Sequence, residues 1–316
     1  MQEKVSASAG ILERADPREW RSHRYGLPTA RWQTLAGRTF WITGAGTGYG
    51  RCIAVALGCA GAEVFLTGRR VEKLRETVTE AADYGADPQR FIPVPADLTD
   101  PARLDAAVLE VTGRCRSIYG LVNNAALPES KSTRWPLTDA SLERWGRMLA
   151  TNVTAHWHLS ALLLPQVAKH GEGRVLFMSS EAGWAFTPAY GIYNVTKAAL
   201  NSLACNLAAE AEARWPEADI QINVLVPGEA RTEMNQGLSV SPYSVVSMAL
   251  ALLSHPRGGP TGRLFHRDGR HLAFAYATPY EKSLLDGSAS IATAQPRQEF
   301  SLLRSAARTI LRRFRS

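Results

Sequence analysis

The chain is poor in the features that announce several large classes of protein. It has four cysteines, Cys52, Cys59, Cys115 and Cys205, whose spacings suit neither a metal site nor a redox pair. They read as reduced core residues of a cytoplasmic protein, and no metal is expected. No run approaches the ~20 apolar residues that a membrane-spanning helix needs. The longest candidate, around Leu159 to Val167, is interrupted by Pro165. The N-terminus carries Glu3, Lys4, Glu13, Arg14 and Asp16 and lacks the apolar stretch of a secretion signal. No internal repeat is present.

Acidic groups fall short of basic ones, giving a net charge of +7. Where that excess lies decides what it means. Arg304, Arg308, Arg312, Arg313 and Arg315 follow residue 300 with no acid among them, so only +2 of the +7 belongs to the rest of the chain. Outside this tail no basic face is left for a nucleic acid.

What is present is enough apolar residue, 45% of 316, for a sizeable core, and a regular alternation that starts at Arg38. Strand-like runs at Thr39–Thr43, Glu63–Thr67, Arg90–Val94, Gly120–Asn123, Arg174–Ser179 and Ile220–Val226 are separated by helical stretches. Strands spaced by helices of that length predict an α/β fold, a single doubly wound parallel sheet with right-handed crossovers. A last strand is expected at Thr261–Phe265 and a turn at Asp268-Gly269. Three regions follow: an extension over residues 1–34, a catalytic domain over 35–275, and a linker with a basic tail over 276–316. The extension holds Trp20, Tyr25 and Trp32. It reads either as a wrap anchored by these aromatics or as a leader without fixed structure.

The first strand runs into Thr43-Gly44-Ala45-Gly46-Thr47-Gly48-Tyr49-Gly50, followed by a helix over Arg51–Ala60. Glycines at a strand-to-helix turn let backbone approach a phosphate, and the helix N-terminus offers amide donors and positive partial charge. The spacing is Gly-x-x-x-Gly-x-Gly, not the commoner Gly-x-Gly-x-x-Gly, and no lysine follows as in a phosphate-transfer loop. The second strand ends in Gly68-Arg69-Arg70 where an acid would accept ribose hydroxyls. A basic residue there suits a 2′-phosphate and points to NADP(H) over NAD(H). The plainer alternative is a solvated arginine pair opening the next helix.

Tyr193 and Lys197 are one helical turn apart, so an ammonium can lie beside a phenol. A neighbouring cation should lower the phenol's pKa from ~10 toward working pH, the tuning a general acid needs. Ser180, thirteen residues earlier, ends a strand-like run and brings a hydroxyl to the edge of the sheet.

Thr43 to Gly50, Asp97-Leu98, Asn123-Asn124-Ala125, Asn152, Ser180, Tyr193-x-x-x-Lys197 and Pro227-Gly228 with Thr232 stand in the order and spacing of the short-chain dehydrogenase/reductase family, which the chain resembles over about 240 residues. The resemblance implies a Rossmann-like fold and an oxidoreductase that reduces a ketone or oxidises a secondary alcohol. Tyr193 would be the general acid/base and Lys197 would tune it and hold the nicotinamide ribose. Ser180 would hydrogen-bond the substrate oxygen, and Asn152 would place a water in the proton relay. Asp97 would meet the adenine edge beside Leu98, Asn123 to Ala125 would line the cofactor channel, and Pro227 through Thr232 would cover the nicotinamide. A homodimer or homotetramer is expected on the same ground, as is a carbonyl-reductase activity. The other reading is a non-catalytic dinucleotide-binding regulatory protein on this scaffold. One departure is Ala126, where the family usually has glycine.

Substrate contacts are expected from Ser180, Tyr193, Trp184, Tyr190 and Glu229, with Phe186, Pro188, Arg231 and Met234 nearby. Aromatic groups suit a ring or acyl chain and the charged ones a polar substrate, so the signals conflict; Trp184 and Phe186 could equally pack their own loop, and Tyr190 the core. In the tail, Leu303, Ala307, Ile310, Leu311 and Phe314 share one helical face. That face could touch an anionic membrane, an acidic partner or a neighbouring subunit, or the tail could remain solvated.

Overall fold

The computed structural model describes residues 17–128, 136–185, 190–235 and 238–272. Eight strands form one sheet: β1 (Thr39–Thr43), β2 (Glu63–Gly68), β3 (Phe91–Pro95), β4 (Gly120–Asn123), β5 (Glu172–Met178), β6 (Asp219–Val226), β7 (Arg263–His266) and β8 (His271–Leu272). Their order is β3-β2-β1-β4-β5-β6-β7-β8. The first seven pair in parallel and β8 runs antiparallel to β7. The expected doubly wound sheet is there, with β8 as an unforeseen edge: two residues, His271 and Leu272, are too few to show a period. Pro93 and Pro95 fall on β3, an edge strand, where a missing N–H costs no central ladder bond.

The helices are α1 (Pro17–Ser22), α2 (Thr29–Gln33), α3 (Gly48–Cys59), α4 (Val71–Asp83), α5 (Pro101–Arg114), α6 (Leu142–Leu149), α7 (Ala155–Lys169), α8 (Gly191–Arg214) and α9 (Val246–Leu253). Helix starts follow local chemistry. Asp100 accepts from the Ala102 and Arg103 amides with Pro101 at the first position, and Ser141 accepts from the Arg144 amide. Pro165 does not end its helix as its type suggests. Residues Leu163, Leu164 and Val167 around it are buried, and their packing outweighs the one backbone bond that proline forfeits.

Both faces of the sheet are covered. Phe40 and Ile42 of β1 join the α3 and α9 layer, and Trp41 joins the layer of α5, α7 and α8. This two-sided burial is why β1 reads as a continuous apolar run. The first layer also takes in the segment before β1. Tyr25 is fully buried, its ring stacked on Tyr243 at 6.2 Å between centroids. The Ser247 hydroxyl donates to the Tyr25 carbonyl at 2.6 Å, and Arg31 donates to the carbonyls of Ala251 and Ser254. Arg24 and Tyr25 adopt φ of 55° and 51°, a region costly for side-chain-bearing residues, which this packing holds in place.

At the N-terminal edge of the sheet Arg174 is 2% exposed, yet it is well matched. Its guanidinium pairs with Asp219 at 2.7 Å and donates to the carbonyls of His255, Gly173 and Asp219. The linker and basic tail over 276–316 and the first 16 residues lie outside the described residues.

Candidate active site

The chain order of the sheet reverses between β1 and β4, so the loops that follow them diverge and leave a crevice at the strands' C-terminal ends. The glycine loop opens it. The Asn124 side chain donates to the carbonyls of Thr43 and Gly44 at 3.0 and 3.2 Å, and the Thr43 hydroxyl accepts from the amides of Asn124 and Ala125. Gly44 has φ of +65°, and a Cβ there would come within 2.9 Å of the Ala125 backbone. Arg51 braces the loop from below, donating to the Gly46 carbonyl at 2.9 Å while pairing with Glu76 and Glu80. Glu80 in turn accepts from the Tyr243 hydroxyl at 2.6 Å.

Helix α3 begins at Gly48 with no side-chain cap from Thr47. Its first amides therefore face the crevice with their positive partial charge. The Tyr49 hydroxyl donates to the Gly228 carbonyl at 2.8 Å, tying the glycine loop to the segment after β6. Arg69 and Arg70 stand at the end of β2. Asp97 accepts from the Thr99 amide and hydroxyl; burial works against its charge, but these bonds and the field of Arg69 hold its carboxyl below the usual range. Leu98 is buried beside it. A glycine turn, an uncapped helix start and a basic pair at these places fit the phosphates of a dinucleotide.

Across the crevice β5 delivers Ser180 and α8 delivers Tyr193 and Lys197, and the structure brings the three together. The Ser180 hydroxyl lies close enough to the half-buried Tyr193 phenol to favour its charged form, and accepts from the Ala182 amide at 3.2 Å. Lys197, 3% exposed, donates from Nζ to the Met178 carbonyl at 2.8 Å, and Nζ lies 5.5 Å from the Tyr193 ring centroid. The expected mutual tuning is corrected here. Burial pushes the phenol up to about 12, with Ser180 opposing and Glu181 adding to the rise. Burial also pushes Lys197 down to about 7. Desolvation is the leading cause of both shifts.

Asn152 sits in a π-helical turn, Ala150–Thr154, that joins α6 to α7. Its carboxamide donates to the Leu127 carbonyl and the Thr196 hydroxyl and accepts from the Leu127 amide at 2.7 Å. These bonds pin α7, α8 and the loop after β4 to one another. His156, one turn further on, was not singled out from sequence. Its Nε2 lies 2.7 Å from the Ala125 carbonyl and Nδ1 3.2 Å from Asn123 Oδ1. Burial and the Lys197 charge push its pKa down to about 4, so the ring is neutral. The signal was its i+4 spacing from Asn152, which places both on one helix face.

Of the substrate candidates, Tyr190 lies 6.5 Å from Tyr193 between ring centroids and Trp184 is half-buried. Glu229 and Arg231 are exposed, and Met234 is 46% exposed. Phe186 and Pro188 lie outside the described residues. A second group the sequence did not announce is Glu181, 3.4 Å from His266, whose other nitrogen is 2.8 Å from Asp268. Among the described residues no cluster of His, Cys, Asp and Glu suits a metal, and no helix is long and apolar enough to cross a membrane.

Sheet order, glycine turn and the Ser180–Tyr193–Lys197 group together define a nucleotide-binding oxidoreductase fold. The family model for short chain dehydrogenases matches residues 38–241, and the chain belongs to that family. It is similar to dehydrogenase/reductase SDR family member 4 of Sus scrofa, 31% identical over 254 residues, 79% of this chain and 88% of that protein. It is 28% identical to a tropinone reductase homolog of Arabidopsis thaliana over 208 residues, 66% of this chain and 75% of that one. Among solved structures, a candidate NAD(P)-dependent gluconate 5-dehydrogenase from Beutenbergia cavernae, with NADP bound at low occupancy, superposes with a TM-score of 0.65 and 31% identity, covering 74% of this chain and 96% of that one. The protein is thus an oxidoreductase of dehydrogenase/reductase type whose family binds a nicotinamide dinucleotide.

Proposed function

We propose that the protein is an NADP(H)-dependent oxidoreductase that reduces a ketone, or oxidises the corresponding secondary alcohol, with Tyr193 as general acid/base. The observation that carries this reading is the Ser180 hydroxyl beside the Tyr193 phenol and next to a buried lysine with no carboxylate partner among the described residues, at the mouth of the glycine-lined crevice. The dinucleotide supplies or accepts the hydride. The chain's own groups handle the oxygen. Ser180 and Tyr193 converge on one point, where a substrate oxygen accepts from both hydroxyls; the phenol then gives up its proton as the carbonyl becomes an alcohol. The buried Lys197 keeps its ammonium near the phenolate as charge develops. With a pKa of about 7 it is also placed to pass a proton back.

NADP(H) is favoured by Arg69 and Arg70 at the end of β2, where no acid stands to accept ribose hydroxyls. Two structural relatives were solved with NADP, the Beutenbergia protein and a candidate short chain dehydrogenase from Shigella flexneri. The related proteins carry both reductase and dehydrogenase names, the two directions of one reaction. Self-association fits the apolar side chains left exposed on the outer helices, Leu109 at 74%, Leu142 at 89% and Trp157 at 50%. We place the protein in the cytoplasm.

Assaying the purified protein with NADPH and a panel of ketones tests the activity. Tyr193→Phe should lower turnover by about 10²–10⁴ and leave dinucleotide binding intact. Unchanged turnover in that variant would remove Tyr193 from the role.

A further inference from the structure

The two arginines at the end of β2 are not equivalent. Arg69 carries no ion pair among the described residues and lends its field to Asp97. Arg70 reaches the other way, across the crevice, where its guanidinium meets Glu233 at 2.6 Å. Glu233 belongs to the segment that follows β6, one residue beyond Thr232. That segment folds back on itself, with the Arg231 amide donating to the Val240 carbonyl at 2.8 Å and Thr232 bridging Asn235. Thr232 closes against the start of α3, 3.3 Å from where a Cβ on Gly48 would stand. Glu233 also lines a cleft of about 260 Å³ with Thr47, Gly48, Lys73 and Thr232. One carboxylate therefore stands at the glycine turn and holds one of the two cations proposed for the 2′-phosphate.

We propose that Glu233 sets how strongly this protein discriminates NADP(H) from NAD(H), by holding Arg70 in an ion pair that a 2′-phosphate must displace. The inference rests on the proposed function, in which Arg70 shares that phosphate with Arg69. A ribose 2′-phosphate carries close to two negative charges at neutral pH. To reach Arg70 it either draws the guanidinium away from Glu233 or settles beside a carboxylate of like charge. Both outcomes oppose the phosphorylated dinucleotide, and neither affects one with a free 2′-hydroxyl. Because both side chains are about half exposed, at 52% and 46%, the opposition is modest and screened by salt. The exposure also means that neutral replacements leave the fold intact.

The experiment is calorimetric titration of the full chain with 2′,5′-ADP and with 5′-AMP, two ligands that differ by the 2′-phosphate alone, and it needs no turnover. Glu233→Gln should tighten 2′,5′-ADP about two- to fivefold more than it tightens 5′-AMP, with the difference shrinking as salt is raised. Arg70→Gln should weaken 2′,5′-ADP alone, and adding Glu233→Gln to it should bring no further gain. If Glu233→Gln shifts both ligands equally, shifts neither, or keeps its full effect without Arg70, the proposed role is wrong. If Arg70→Gln leaves 2′,5′-ADP binding untouched, the 2′-phosphate assignment itself fails and takes the inference with it.

Discussion

Two cations are buried at opposite edges of the same sheet, and the protein treats them differently. Arg174, near the start of β5, has a carboxylate at 2.7 Å and donates to three backbone carbonyls besides. Lys197, beyond the end of the same strand, has one carbonyl, that of Met178, and among the described residues no carboxylate. Both are nearly inaccessible, 2% and 3% exposed. Burial of a charge is tolerated when its donors are matched and costs several kcal/mol when they are not. The matched cation organises the strand ends. The unmatched one is held near the point of losing its proton, with a pKa of about 7, which is a liability for stability and an asset for proton transfer.

Replacing each in turn should pull the two roles apart. Lys197→Met should lower kcat by about 10²–10⁴, while the unfolding free energy at pH 7 holds or rises because methionine needs no desolvation. Comparing turnover with a urea melt reads both, and a large loss of stability would show the two cations to be alike. Asp219→Asn should do the reverse: about 3–5 kcal/mol of unfolding free energy is lost as Arg174 is left unpaired, with kcat per folded molecule unchanged. The subtlest contrast is in pH. Lys197 titrates at about 7 in the folded chain against 10.5 when solvated, so between those values the unfolded chain binds the extra proton and stability increases with pH. Denaturation midpoints from pH 7 to 10 should show a rise worth at most about 4 kcal/mol in wild type, absent in Lys197→Met. A rise of equal size in the variant would assign it to some other group.

Much of this was legible in the sequence because it rests on short-range pattern. Tyr193 and Lys197 share a helix face by spacing alone, and a strand followed by Gly44-x-x-x-Gly48-x-Gly50 admits few structures. The parallel sheet followed from strands spaced by helices. What could not be read depends on partners far apart in the chain. Arg70 and Glu233 are 163 residues apart and meet only because two loops close on one crevice. The Met178 carbonyl that holds Lys197 is backbone, which has no sequence signature. The direction of the Tyr193 shift was misjudged for a related reason: spacing reveals the neighbouring charge, whereas the depth of burial that outweighs it is a property of the whole fold. Asn152 illustrates a third limit, since nothing in Ala150-Thr151-Asn152-Val153 marks the π turn that points its carboxamide at Leu127.

The segment before β1 bears on what counts as the unit that folds. The family match begins at residue 38, yet Tyr25 is packed on Tyr243, which bonds Glu80, which pairs with Arg51, which supports the Gly46 carbonyl. A protein trimmed to the family boundary would begin by uncovering the aromatic stack and end by unsettling the turn reserved for the phosphates. In this chain the glycine turn has a keystone, Tyr25, that lies upstream of residue 38, where the family match starts.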